Sequence, residues 1–267
     1  MKSKLLWIFF PFFLIYLFIL IIPLARALTY EPVSYIIGDL SSGILSSIVL
    51  TYELCAVVAI SAVLFSLPYA FVMSRKHGKA YRAADSLVEI PIMIPHSVVG
   101  IIMLITFEPD MPLGSFISKY IPGYSFDDTI FAVLITLFFL SSAYSIREIG
   151  TSYKNEIMDY EDVAKTLGIN EITSFGIISI RMLFRPMIKG FLLSWARSVS
   201  EVGAILIVAY YIFPSFDKLA GVFIYSQWIG QGLAPAAASS AILIVTGIII
   251  TGVFKVVESF HAESIPY

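Results

Sequence analysis

Long apolar stretches alternate with short polar segments along the chain. Within them, apolar and polar positions do not alternate as they would in a barrel strand, and their length matches the roughly 20 residues that a spanning helix needs. They fall at about 5–25, 44–73, 87–107, 129–146, 190–210 and 235–255. The pattern predicts the all-α class: a polytopic membrane protein with about six transmembrane helices, forming a single transmembrane domain over 1–267.

Composition agrees with a membrane protein and excludes several kinds of site. Hydrophobic residues make up 58% of the chain and charged residues 13%, whereas soluble domains carry about 25% charged residues. The net charge of −2 argues against nucleic acid as a partner. The single cysteine, Cys55, excludes a disulfide within the chain. No His/Cys cluster has metal-ligand spacing, and no cofactor is expected.

The first apolar stretch has two interpretations. Lys2 and Lys4 precede the run Leu5–Ala25, and the Ala-Arg-Ala sequence at 25–27 resembles a signal-peptidase site. A signal peptide has an apolar core of about 7–15 residues, whereas this run has 21. We expect a retained first span, with a cleaved signal peptide as the alternative.

Lysine and arginine predict the orientation of the spans. With the N-terminus inside, the outer segments carry only Arg26, Lys119 and Lys218, and Arg197 lies within a span. The other thirteen of the 17 Lys and Arg residues fall on the inner side. Because an excess of Lys and Arg marks cytoplasmic segments, both termini are expected in the cytoplasm, beneath the inner (cell) membrane.

The segment 147–189 is the most polar part of the chain and is too long for a simple connector. Within it, the residues from Asp159 to Gly168 predict a short helix. Asp159 is its expected N-cap, and Gly168 can adopt the left-handed conformation that ends it. Asn170 is expected to cap a second helix that runs to about Leu183.

The apolar positions of the predicted short helix share one face, at the spacing i, i+3, i+4 and i+7. They are Tyr160, Val163, Ala164 and Leu167. This stripe could pack on the ends of the chain's own spans, or it could fill a groove on a partner protein. The periodicity does not decide between these two interpretations.

The same segment resembles the EAA loop of ABC importer permeases, which has the pattern E-A-A-x-x-x-G followed by I-x-L-P. The matching positions are Asp162, Val163, Ala164 and Gly168, with Asp for Glu and Val for Ala. Ile178 and Ile180 fit the I-x-L part, whereas Arg181 stands where the closing proline is usual. In that family the helix docks into a cleft of a cytoplasmic ATPase. The ATPase-coupling residues implied here are Tyr160, Glu161, Asp162, Val163, Ala164, Lys165, Thr166, Leu167 and Gly168.

Two further segments resemble molybdate/tungstate permeases and their sulfate-permease relatives. The stretch from Leu87 to Gly100 is similar to their proline-punctuated third span. The stretch from Ala196 to Ala204 is similar to their A-R-A-x-G-E-F-G-A motif, with Ser200 for glycine and Val202 for phenylalanine. The resemblance covers about residues 40–257 and implies the type I permease fold of ABC importers.

The family resemblance implies a transport subunit and its partners. These are cytoplasmic ABC ATPase subunits, a second copy of the chain, an external oxyanion-binding protein and the lipid bilayer. The chain has no Walker A loop, G-x-S-x-G or H-E-x-x-H motif, so it is not expected to be an enzyme. A sulfate or thiosulfate permease is the first alternative. An ion-driven secondary transporter is a second one, disfavoured because no internal repeat is visible.

Arg197 and Glu201 are a charged pair within a predicted span. They lie four residues apart and so share a helix face. A charge inside the bilayer costs at least about 2.5–3.5 kcal/mol, which requires a bundle interior or a wet cavity. The pair could lock neighbouring spans, or it could gate or line an anion path. The expected pathway or gate residues are Ser97, Arg197, Ser198, Ser200 and Glu201.

Overall fold

A computed structural model describes residues 4–76 and 78–263 of the chain. Lys2, used above to orient the first span, lies outside these residues. Within the described part, the ordered structure is helical apart from one isolated bridge between Ile212 and Asp217. The predicted all-α class is confirmed.

The long helices begin close to the starts of the predicted apolar stretches. In chain order they are α1 (Lys4–Thr29), α2 (Val33–Asp39), α3 (Ile44–Arg75), α4 (Lys79–Leu87), α5 (Ile90–Met93), α6 (His96–Phe107), α7 (Pro112–Ser118), α8 (Ile130–Ser152), α9 (Met158–Thr166), α10 (Glu171–Ser174), α11 (Ile180–Val199), α12 (Ile205–Val208), α13 (Ala220–Gln231) and α14 (Leu233–Glu263). A 3₁₀ turn, Leu40–Ser42, precedes α3.

Among the described residues, the helices long and apolar enough to cross a membrane unbroken lie in α1, α3, α8 and α14. A fifth candidate span is the bent pair Lys79–Met93 and His96–Phe107, whose two parts meet at 115°. The predicted span at 87–107 is therefore an interrupted helix. The predicted span at 190–210 contains the end of α11 and the short α12, and it is not among these candidates. The other four expected spans are continuous.

Proline explains the first interruption. Pro91 lies in the first turn of α5, and Pro95 stands at the N-cap position of α6. A proline disfavours helical geometry in the residue before it, and Ile94 is extended, with φ −79° and ψ 134°. The helix therefore stops at Met93 and restarts at His96.

The second interruption follows α11. This helix ends at Val199, and the chain passes through a turn at 200–204 before α12. The carboxylate of Glu201 accepts a hydrogen bond from the backbone N–H of Ala204 at 2.9 Å. An acidic side chain thus satisfies an N–H at the start of α12 that would otherwise lack a partner.

The chain divides into two compact units. The first comprises residues up to 48 together with 223–253. In it, no residue of the most apolar window of α1 is buried, so this helix presents apolar side chains on every side, as a lipid-facing helix does. The Ser239 hydroxyl hydrogen-bonds the Asp39 carboxylate within the same unit.

The second unit comprises 49–222 and the residues from 254 onward. At its centre α8 packs on α11, and several of the residues between these helices are small. The Ser194 hydroxyl donates to Ser141 at 3.1 Å, and that of Ser66 on α3 donates to Ser145 at 3.1 Å. A Cβ added at Gly190 would lie 2.9 Å from the Ser145 hydroxyl. Small residues let spanning helices approach this closely.

The polar segment 147–189 is helical over most of its length. Two π-helical turns, Tyr153–Ile157 and Phe175–Ser179, join α8 to α9 and α10 to α11. Asp159 was predicted to cap a new helix, and this was wrong. Because α9 continues from the preceding turn, the N–H of Met158 already bonds the carbonyl of Tyr153, and no side chain is needed as a cap.

The second predicted cap is confirmed. The Asn170 side chain accepts a hydrogen bond from the N–H of Thr173 at 2.8 Å. The helix that it starts continues through the second π-helical turn into α11 and therefore extends beyond Leu183.

Candidate functional site

The surface of α9 and α10 carries a row of exposed apolar side chains, here called the docking face. It consists of Tyr160, Val163, Leu167, Ile169 and Ile172. Leu167 is 75% exposed and Ile172 is 87% exposed. Within the described part of the chain, these side chains are not covered by the protein's own spans. The alternative in which the whole stripe packs on those spans is therefore not what the structure has.

The stripe predicted from periodicity is divided between two faces of α9. Tyr160, Val163 and Leu167 point outward, whereas Ala164 is buried beside Glu161. The helical turns before and after α9 fix its rotation, and they bring Glu161 inward instead of Tyr160.

Glu161 is the centre of a buried polar group, here called the anchor cluster, formed with Arg75, Tyr153 and Ser179. Its side chain is 2% exposed. Arg75 forms an ion pair with one carboxylate oxygen. The hydroxyls of Tyr153, at 2.5 Å, and of Ser179 donate to the other oxygen. A buried charge is tolerable only when it is paired and hydrogen-bonded in this way.

Arg75 has further contacts that fix its orientation. Its Nη1 donates to the Tyr153 hydroxyl at 3.2 Å, and its Nε donates to Glu171 at 3.1 Å. The guanidinium carbon lies 3.6 Å from the centre of the Phe71 ring, a cation–π arrangement. The anchor cluster therefore ties the end of α3 to α9 and to the turns that continue into α8 and α11.

Tyr153 can act only as a donor to Glu161. Burial, followed by the hydrogen bond to Glu161, raises the pKa of Tyr153 to about 12. Its phenol therefore keeps its proton at neutral pH. The side chain is fully buried and packs among Ile149, Ile157 and Leu183, so it joins the polar cluster to an apolar core.

The second candidate site lies where the two interrupted helices meet. Arg197 Nη2 is 3.0 Å from Glu201 Oε2. His96 bridges the same pair, with Nδ1 3.2 Å from Glu201 and Nε2 2.6 Å from Arg197. A Cβ added at Gly100 would lie 2.9 Å from the Ala204 carbonyl. Interrupted backbone at membrane depth is tolerated where it is buried or lines a cavity.

Of the three serines predicted at this site, only Ser200 has a hydrogen bond to the Arg197–Glu201 pair among the residues that the structure describes. The Ser200 hydroxyl is 3.5 Å from Arg197 Nη1 and donates to the Arg197 carbonyl at 2.9 Å. Ser198 is buried, and its hydroxyl has no partner in the part of the chain that the structure describes. Ser97 is exposed in the first turn of α6, and no hydrogen bond joins its described side chain to the pair.

Comparison with known proteins identifies the family. Residues 62–260 match the model of the binding-protein-dependent transport system inner membrane component, about three quarters of the chain. The chain belongs to this family. The permease is thus a multi-pass inner-membrane protein with the type I fold of ABC importers, as the sequence resemblance implied.

Several relatives of the permease are named as permease proteins of molybdate/tungstate or sulfate transport systems. It is 34% identical to the molybdate/tungstate transport system permease protein WtpB of Thermococcus kodakarensis, over 70% of this chain and 67% of that protein. It is 31% identical to WtpB of Pyrococcus abyssi, over 69% and 66%. It is 28% identical to the probable sulfate transport system permease protein cysT of Helicosporidium, over 68% and 66%. The alignments span about two thirds of these relatives' length.

Gly168 ends α9 in the manner that the permease sequence predicted. Its φ is +79°. Its N–H bonds the carbonyl of Lys165 at 3.0 Å, and the N–H of Ile169 bonds that of Ala164 at 3.1 Å. This is the paired pattern of a Schellman motif. A Cβ at Gly168 would meet no atom within 4 Å, so the backbone conformation, not space inside the permease, requires glycine.

Gly168→Ala tests this turn. A residue with a side chain in the left-handed region costs about 1–2 kcal/mol. We expect the backbone at position 168 to change conformation to relieve this strain, which would displace Ile169 from the docking face. We expect ATPase affinity about tenfold lower with an unchanged membrane fold, measured by titrating the purified ATPase onto the permease. Gly176→Ala is the matched control, since Gly176 also has open space around it but no positive φ. Equal affinity in both variants would contradict the role of the turn.

Two functional contacts could not be read from the sequence. Arg75 and Glu161 are 86 residues apart, and His96 and Arg197 are 101 apart. His96, which directly follows Pro95, was not among the expected pathway or gate residues. Its position beside two interrupted spans was the available signal, because such breaks in transporters often mark binding sites.

Proposed function

We propose that this chain is the transmembrane subunit of an ATP-driven importer whose substrates are molybdate and tungstate. The docking face carries the proposal. It is an exposed apolar surface on a cytoplasmic segment, held in one orientation by a buried ion pair. The printed names of the WtpB relatives support the choice of substrate.

The partners follow from the family and from what the sequence lacks. Two copies of the chain would surround the path, since most homo-oligomers are two-fold symmetric. Because the chain has no nucleotide-binding motif, the ATPase subunits would hydrolyse ATP. An external binding protein would deliver the oxyanion, so the path itself needs only a weak site that can release it.

Coupling would proceed through the anchor cluster. When ATP draws the ATPases together, α9 moves with them through the docking face. Because Glu161 is tied to Arg75, Tyr153 and Ser179, the displacement is passed to the ends of α3, α8 and α11 as one body. The spans then open outward, as alternating access requires.

The cluster of His96, Arg197 and Glu201 would guide or gate the anion. Arg197 supplies hydrogen-bond donors, and Glu201 and His96 hold its guanidinium in place. A tetrahedral oxyanion accepts hydrogen bonds from such donors. The side chain of His96 is 48% exposed, so it can meet a passing ion, whereas Glu201 is buried and positions the other two.

Glu201→Ala tests the gate against a purely structural lock. We expect ATP-driven uptake to fall by at least about tenfold, because Arg197 and His96 lose the carboxylate that positions them. Uptake is measured in proteoliposomes with matched amounts of protein, and Ser61→Ala is the control, because the Ser61 hydroxyl bonds the Val57 carbonyl of its own helix. A lock predicts a lower melting temperature in the variant, whereas a gate predicts normal stability with continued ATP hydrolysis. Unchanged uptake would contradict both roles.

The substrate is tested by competition. Proteoliposomes that hold the chain, its ATPase and its binding protein should accumulate molybdate, and excess tungstate should compete while sulfate should not. Sulfate uptake at an equal rate would favour the sulfate permease alternative. That alternative also predicts pairing with a different permease chain, so the subunit composition of the purified complex is a second readout.

A further inference from the structure

Two adjoining polar cavities lie beside the cytoplasmic end of α3, outside the sites described above. Their volumes are about 320 and 390 Å³. They share Met73, Asp85 and Lys154, and together they are here called the basic cleft. The charged side chains that line it are Lys76, Arg82, Asp85, Arg147 and Lys154. Four cations therefore face one carboxylate.

The floor of the cleft is held rigidly. Arg147 Nη1 donates to the Asp85 carboxylate at 2.8 Å, and Nη2 lies 2.9 Å from Glu89. Tyr69 donates to the same Asp85 carboxylate at 2.9 Å. Arg147 thus pairs with two carboxylates, and these three side chains together keep one negative charge. Arg147 Nε is buried and has no hydrogen-bond partner within the described chain.

The rim of the cleft carries cations without counterions. Lys76, Arg82 and Lys154 are exposed. None of them lies within 4.0 Å of a carboxylate among the side chains that the structure describes. These three cations outweigh the one negative charge left among Arg147, Asp85 and Glu89, so the cleft attracts an anion, and side chains of this length can close over it.

The surroundings of the cleft match the surface of a bilayer. The α4–α5 segment bends by 115° away from α6, so it does not continue the direction of that apolar helix. The helix α4 has cationic positions at Lys79 and Arg82 and apolar positions at Ala83, Ala84 and Leu87. This amphipathic pattern is typical of a helix lying in the membrane interface. Leu87 is 61% exposed and Met93 is 81% exposed, so exposed apolar side chains follow Lys79 and Arg82 along the same segment.

We propose that the basic cleft binds the phosphodiester headgroup of an anionic phospholipid in the cytoplasmic leaflet. Basic pockets between spanning helices on that side suit such headgroups. A free oxyanion is also tetrahedral and negatively charged, but the exposed Leu87 and Met93 favour a ligand that also carries acyl chains. The site is independent of the import path, and it adjoins the anchor cluster through Lys76 and Lys154, which neighbour Arg75 and Tyr153 in the chain.

Lipid retention on the purified full chain tests the proposal. Native mass spectrometry is recorded with dioleoyl-phosphatidylglycerol or with the zwitterionic dioleoyl-phosphatidylcholine. We expect selective retention of phosphatidylglycerol, weakened about fivefold for each neutralised cation in Lys76→Gln, Arg82→Gln and Lys154→Gln, and further in the triple variant. Lys255→Gln, which removes a cation elsewhere on the predicted cytoplasmic side, should retain the lipid as the native chain does.

Each contrary outcome overturns the proposal in its own way. Equal retention of the two lipids, or native retention in the triple variant, shows that the cleft is not a headgroup site. Displacement of phosphatidylglycerol by excess sodium molybdate identifies a free-oxyanion site instead. Native lipid retention with lost ATPase binding assigns the cations to the ATPase.

If the triple variant does not fold, the single variants Arg82→Gln and Lys154→Gln test the proposal. Failure here leaves molybdate uptake unaffected, so it is distinguishable from failure of the proposed function.

Discussion

Glu161→Gln should uncouple the permease from its ATPase while leaving it folded in the membrane. The substitution removes the charge that balances Arg75 and weakens the acceptor for Tyr153 and Ser179. Breaking a buried ion pair costs about 3–5 kcal/mol. Because Arg75 keeps Glu171 and the Phe71 ring, we expect about 3 kcal/mol. The fraction of molecules in which α9 has this orientation, relative to those in which it does not, should therefore fall roughly a hundredfold.

The measurement compares two adjacent carboxylates. Asp162 follows Glu161 on α9 but is exposed, and in the described part of the chain its ion pair is with Lys165 at 2.9 Å. Exposed pairs of this kind contribute at most about 1 kcal/mol. Asp162→Asn should therefore keep substrate-stimulated ATP hydrolysis and slow amide exchange in α9, and Glu161→Gln should lose both. Equal behaviour of the two variants would show that the anchor cluster does not orient α9.

Leu167→Asp should abolish assembly with the ATPase and leave the permease itself stable. Leu167 is 75% exposed, so a carboxylate at this position costs the isolated chain little. In the complex it would be buried without a partner. Central interface residues contribute about 2–4 kcal/mol, which predicts binding weaker by about 30-fold to 1,000-fold.

Leu167→Met is the matched control for this surface. It keeps an apolar side chain of similar volume, a change that usually costs less than about 1.5 kcal/mol. Affinities are measured by titrating ATPase onto the permease in nanodiscs, and melting temperatures are measured on the same samples. Normal ATPase affinity in Leu167→Asp would mean that docking occurs elsewhere.

Much of the fold was predictable because hydrophobicity and helix-breaking residues act locally. The long apolar runs gave α1, α3, α8 and α14 nearly to their ends, and Gly168 and Asn170 marked the turn between α9 and α10 correctly. The stretch from Leu87 to Gly100 was recognised as proline-punctuated, but the 115° bend between its two helical parts was not predicted.

The anchor cluster was beyond the reach of local patterns. Glu161 was predicted to be a coupling residue, as was its neighbour Asp162, and the periodicity placed Ala164 on the same face as Tyr160, Val163 and Leu167. Which carboxylate turns inward depends on Arg75, 86 residues earlier in the chain. Likewise, His96 acquires its contacts only when α6 meets the end of α11. The roles of both clusters in coupling and transport stay predictions.

The central claim is that this permease moves an oxyanion only when a docked ATPase drives it. The most direct test measures molybdate uptake and ATP hydrolysis in the same proteoliposomes. We predict uptake that requires the ATPase, ATP and the external binding protein together, and none with the purified chain alone. Molybdate accumulation by the chain alone, driven by an ion gradient, would contradict the account and identify a secondary transporter.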